Sequence, residues 1–119
     1  MTPLQLARLY ALKSIWNATG LRCAGRNLLT ALGSRDESVR SVAAMFLVQS
    51  GRRAEPLLAE AIRRREHLPT VLVIAGDLGA ASLAGELERF TSDPDPEIAK
   101  AARDGLRILA AQQARTRRP

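Results

Sequence analysis

His67 is the single histidine of this 119-residue chain, and Cys23 is its single cysteine. An imidazole works as a general base only beside a nucleophile or an orienting carboxylate held in place. The sequence brings neither to His67, which sits at a helix junction between Glu66 and Leu68-Pro69, so a surface or capping role is expected. A lone cysteine can form no intrachain disulfide and no multi-thiolate metal site. Cys23 is expected to be a quiet, partly buried thiol in a reducing compartment. Asp93, Asp95 and Glu97 are spaced like a cation loop, but Pro94 and Pro96 between them mark a turn and a helix start. No glycine-rich phosphate loop is present. No catalytic, cofactor-binding or metal-binding residue is therefore expected.

Arginine is the residue type left with a chemical task. Of 18 basic residues, 16 are Arg, against 12 acidic residues, for a net charge of +6. The charge is bipolar: residues 1–65 carry +7 and residues 66–114 carry −4, with Arg115, Arg117 and Arg118 in the tail. Arg52 and Arg53 are expected to open a helix that Arg63, Arg64 and Arg65 close, with Arg40 on the neighbouring helix. Eleven residues of helix span about 16 Å. Such a surface attracts an acidic protein or a phosphate backbone. Aromatic residues make up only 3% of the chain, too few for stacking on single-stranded bases.

The elements that must carry these residues are helices. Ala (20) and Leu (18) far outnumber Val, Ile and Thr together (16), which favours helix over strand. Apolar positions recur at helical spacing in seven segments. The first runs from Leu4 to Asn17 behind Pro3, with Leu6, Leu9, Tyr10, Ile15 and Trp16, and stops at Gly20. The second covers Ala24–Leu32. The third starts at Ser34 or Asp36, carries Val39, Val42, Ala43, Phe46 and Leu47, and stops at Gly51. The fourth begins near Ala54 and ends on the arginine run. A fifth spans Pro69 to Leu78, a sixth Ala80–Thr91, and a seventh Pro96 to about Gln113 with Ile98, Ala102, Leu106 and Leu109 inward. The longest apolar stretch, Leu68–Leu83, is broken by Pro69, Gly76, Asp77 and Gly79, so no membrane span is expected. Arg8 and Lys13 interrupt the run where a secretory signal would have its core, so a cytoplasmic location is expected.

The chain repeats itself. Asp36, Val39, Ala43 and Leu47 recur at an offset of 59 as Asp95, Ile98, Ala102 and Leu106; Ser34 falls on Asp93 and Leu28 on Leu87. Half that offset suits one helix pair. Asp93-Pro-Asp-Pro-Glu-Ile98 with Ala101-Ala102 and Gly105-Leu106 resembles the HEAT repeat, in its bacterial form named after phycobilisome lyases. Asp36 through Leu47 is similar to it too, including Val39-Arg40. The resemblance spans about residues 24–110. It implies an all-α fold, a short right-handed α-solenoid of about three HEAT-like helix pairs plus an N-terminal capping helix. The expected organisation is one domain over 1–114, with the capping helix in 1–20, repeats at about 24–51, 52–79 and 80–113, and a basic tail at 115–119. The resemblance also implies pairing between units of the turn Asp and an early Arg, at Asp36 and Arg40 here. Ala99 replaces that Arg in the third unit, and the middle unit lacks the Asp, so a continuous ladder is not expected.

Such repeats bind many kinds of partner, and fold does not fix function. The expected function is a non-enzymatic protein-interaction or scaffold module whose partner has an acidic surface. The alternative is a nucleic-acid-binding module. Either would use Arg40, Arg52, Arg53, Arg63, Arg64, Arg65, Arg115, Arg117 and Arg118.

Overall fold

The structure, a computed structural model, describes residues 1–20 and 22–116. Among them are seven α-helices and no strand: α1 (Pro3–Thr19), α2 (Arg22–Ala31), α3 (Glu37–Gln49), α4 (Glu55–Arg63), α5 (Leu68–Leu78), α6 (Ala84–Phe90) and α7 (Pro96–Thr116). Short 3₁₀ turns, Gly51–Ala54 and Ala81–Leu83, precede α4 and α6. The chain divides into two compact units, Met1–Leu57 and Leu58–Pro119. No described helix is long and apolar enough to cross a membrane.

In the first unit α1 packs on α2 and α3. Its start is a capping box: Thr2 Oγ1 accepts from the Gln5 N–H at 3.1 Å and Gln5 Oε1 from the Thr2 N–H at 2.9 Å. These bonds satisfy donors that a helix start otherwise leaves open. Gly20 ends α1 at φ 69°, a left-handed position that costs glycine little. Trp16 is buried against α2, and a Cβ on Gly25 would lie 2.8 Å from its ring. Glycine at 25 is what lets α2 lie on the indole. Tyr10 meets the buried Phe46 of α3 edge-on, with centroids 4.9 Å apart. Lys13 Nζ stands 4.7 Å above the same ring and donates to Gln49 Oε1 at 2.8 Å.

In the second unit α5 and α7 form the main contact, and α6 packs on α7. Two glycines set how close α5 and α7 come. A Cβ on Gly76 would lie 2.3 Å from the Gly105 carbonyl oxygen, and one on Gly105 would lie 2.5 Å from the Leu72 carbonyl oxygen. The helices therefore touch backbone to backbone. Leu58, Ile62, Val71, Leu72, Leu87 and Leu109 are buried in this unit. Both α4 and α5 end in Schellman turns. Glu66 N–H donates to the Ala61 carbonyl at 2.9 Å and Arg65 N–H to Ile62 at 3.1 Å; Ala80 and Gly79 repeat the pattern on Ala75 and Gly76. Glycine fills the left-handed position of the second turn. Arg65, at φ 55°, fills that of the first.

Three expectations are corrected. The sixth helix is not continuous from Ala80, because the 3₁₀ turn Ala81–Leu83 precedes α6. Leu106 is only half-buried, whereas Leu47, 59 residues earlier, is fully buried. The cause is at the preceding position, where Gly105 stands in the register of Phe46. With no side chain at 105, α7 faces α5 through Gly105, and Leu106 moves to the edge of the contact. Cys23 is exposed rather than partly buried.

Candidate partner-binding surface

The turns of the 59-residue repeat are built alike. Before α3, Ser34 Oγ accepts from the Asp36 N–H at 3.1 Å, and Asp36 Oδ1 from the Ser38 N–H at 2.8 Å. Before α7, Asp93 Oδ1 accepts from the Asp95 N–H at 2.9 Å, and Asp95 Oδ1 from the Glu97 N–H at 2.9 Å. The side-chain oxygens take up open helix donors in the same order both times. Asp93 and Asp95 thus act as turn and cap groups, and Glu97 takes part through its backbone N–H.

In the first unit the three candidate arginines have different surroundings. Arg40 is half-buried and donates through Nη1 to the Ser34 carbonyl at 2.7 Å, across the turn before its own helix. Arg53 donates to the Trp16 and Asn17 carbonyls at the end of α1. There a cation meets the last carbonyls of the helix, of which Trp16 also accepts from the Gly20 N–H at 2.8 Å, and the negative end of the helix dipole. Arg52 is exposed and makes no ion pair among the described residues. Arg52 and Arg53, expected to open the fourth helix, lie in the 3₁₀ turn Gly51–Ala54 that leads into α4. The Asp36 carboxylate pairs with the N-terminal ammonium at 2.9 Å. That hydrogen bond, then the one from Ser38 N–H, holds Asp36 below the usual carboxylate value. Arg40 therefore serves its own turn, and Asp36 serves that turn and the N-terminal ammonium, rather than the two forming part of a pairing between repeats.

In the second unit Arg64 lies 3.2 Å from Glu60 and 3.9 Å from Glu66. Arg65 lies 3.4 Å from Asp93 and stacks 5.5 Å from the Phe90 centroid. Exposed pairs of this kind contribute little to stability, but they fix where the two guanidinium groups stand. Arg63 is exposed with no ion pair among the described residues, and Arg115 is exposed at the end of α7. Arg117 and Arg118 lie outside the described residues. On α7, Asp104 is held below the usual carboxylate value by its hydrogen bond from Lys100, and further by Arg107 and Arg103 nearby. His67 is exposed at φ 46°, and its side chain caps nothing at the start of α5.

Sequence reasoning missed one feature. A groove of about 200 Å³ runs beside α1, lined by Leu9, Leu12, Ala31 and Val39 together with Gln5, Arg8, Asn27, Thr30 and Ser34. The signal for it lies in α1, whose apolar residues are spread around the helix. Such a helix is either wholly buried or carries an apolar face that is not covered. Here Leu4, Tyr10 and Ile15 are exposed. The chain matches no family model, no curated protein and no solved structure.

Proposed function

We propose that the chain is a non-enzymatic protein-interaction module of HEAT-repeat type. In this reading it is a short right-handed α-solenoid of about three helix pairs behind the capping helix α1. It works in the cytoplasm on a partner with an acidic surface. The observation that carries the reading is the recurrence at 59 residues of both residue types and cap hydrogen bonds, from Ser34 and Asp36 to Asp93 and Asp95. A helix pair too small to bury its own apolar face is stabilised by stacking on its neighbours, and the stack presents an extended face to a partner. A second reading, nucleic-acid binding, draws on Arg52 and Arg63, two exposed cations with no ion pair among the described residues.

Affinity purification from the native host, with and without nuclease, tests both readings. The expected result is a defined protein whose recovery survives nuclease and which rebinds the purified chain. Replacing Arg63, Arg64 and Arg65 with Gln should slow that rebinding and weaken its salt dependence while leaving helicity intact. Recovery abolished by nuclease, with steep salt-dependent binding to duplex DNA, would replace the first reading with the second.

A further inference from the structure

The side of α1 turned away from its own core is apolar. Leu4 is 81% exposed and Ile15 43% exposed, and Ala11 and Ala18 are exposed with them. At 3.6 residues per turn these four fall within an arc of about 60°, in a stripe about 21 Å long. Arg8 stands at the edge of the stripe and lines the adjoining groove as well.

The groove's other polar groups are committed locally. Gln5 closes the α1 capping box at 2.9 Å, Asn27 donates to the Cys23 carbonyl at 2.8 Å, Thr30 to Arg26 at 3.0 Å, and Ser34 accepts from Asp36 at 3.1 Å. The Arg8 guanidinium makes no ion pair among the described residues, and neither α1 nor α2 contains an acidic residue. The nearest acid in sequence, Asp36, is held by the N-terminal ammonium. An occupant therefore meets apolar atoms and one unspent positive charge. A second copy packed α1 on α1 would bring two Arg8 side chains into one interface with no carboxylate between them, which disfavours self-pairing.

We infer that the outer face of α1 and the adjoining groove dock a single amphipathic helix of an acidic protein partner. Its apolar side lies on Leu4, Ala11 and Ile15, and a carboxylate reaches Arg8. Apolar anchors in register along one face are how a helix is read by a surface of this shape. The inference rests on the interaction-module reading and names the surface and the partner's chemistry.

The test uses the whole protein and two labelled synthetic peptides of about four helical turns. Both carry Leu along one stripe; one has Glu on its remaining positions and the other Lys. Fluorescence anisotropy should show saturable binding of the Glu peptide. Leu4→Gln with Ile15→Gln should weaken it by about tenfold or more. Arg8→Glu should weaken it and shift preference to the Lys peptide. All these positions are exposed, so circular dichroism melts of the variants should match the parent. The inference is overturned if neither peptide binds, if both bind alike, or if the α1 variants bind like the parent. It is also overturned if the same α1 residues instead govern binding to anionic phospholipid vesicles or self-association in sedimentation. Glu-peptide binding lost with Arg63, Arg64 and Arg65 changed to Gln, but kept in the α1 variants, would move the docking site and leave the proposed function standing.

Discussion

Substituting alanine at Gly76 should destabilise the second unit, although alanine is the better helix former. The ideal Cβ would lie 2.3 Å from the Gly105 carbonyl oxygen and 2.9 Å from the Gly105 Cα. Ordinary contacts start near 3.4 Å, so α5 and α7 must separate by about 1 Å along a close-packed face. A gap of that size forfeits a quarter to a half of the dispersion energy of each contact it opens. Those contacts belong to residues that are now buried: Val71, Leu72 and Ala75 on α5, Ala102 and Leu109 on α7. Overpacking of this kind costs roughly 3 kcal/mol. Replacing Gly with Ala in a helix returns about 1 kcal/mol, which leaves a net loss of about 2 kcal/mol and a Tm lower by roughly 8 °C for a chain of this size. Gly105→Ala should behave similarly, meeting the Leu72 carbonyl oxygen and Leu87 Cδ2 at 2.5 Å each. The double variant should lose less than the two single losses combined, because one separation relieves both clashes. Gly85 in α6 supplies the control, since a Cβ there meets nothing within 4 Å. Gly85→Ala should be neutral or gain up to about 1 kcal/mol. Calorimetric melting of the parent and the four variants checks this. A Gly76→Ala variant as stable as Gly85→Ala would refute the backbone contact between α5 and α7.

Leu109→Ala should cost about 2–4 kcal/mol, and Leu106→Ala about 1 kcal/mol, because only the first side chain is fully enclosed; equal losses in urea titrations would contradict the register of α7. His67→Gly should keep or raise Tm, and His67→Val should lower Tm at a cost of about 1–2 kcal/mol in stability, since φ 46° is strained for a branched side chain. Matching melts for the two variants would count against that backbone. Asp36 and Asp104 both titrate below their unperturbed value of 3.8, so their contribution is fully present above that pH and is lost as pH falls through the folded values. The urea midpoint should hold steady from neutral pH down to about 4 and fall below it. Asp104→Asn should flatten the fall, and an identical slope in that variant would reject the assignment.

The seven helices were legible in the sequence because their signals are local. Pro3, Gly20, Gly51, Gly79 and the Asp93–Pro96 turn punctuate apolar residues at helical spacing, and the structure stops or starts a helix at or near each of them. The same local chemistry made the Asp36 and Asp95 caps readable, since each side chain bonds a backbone N–H two residues ahead. Composition likewise gave the basic character of residues 1–65. What lay beyond reach depends on groups distant in sequence. Gly105 reads as a weak spot in a helix until α5 arrives with Gly76 and Leu72 against it, and only then does it displace Leu106 from the core. Arg65 carries no sign that it will stand in glycine's left-handed place, because that conformation is held by the Schellman turn of α4 with Asp93 and Phe90 from farther along the chain. Arg53 reads as one more cation of a cluster, and packing of its unit turns it into a cap for α1. For α1, periodicity could not choose which of several apolar faces is covered. Burial of Trp16 against Gly25 made that choice and left Leu4 and Ile15 in water beside the groove, since a helix can bury only the side on which its neighbours lie.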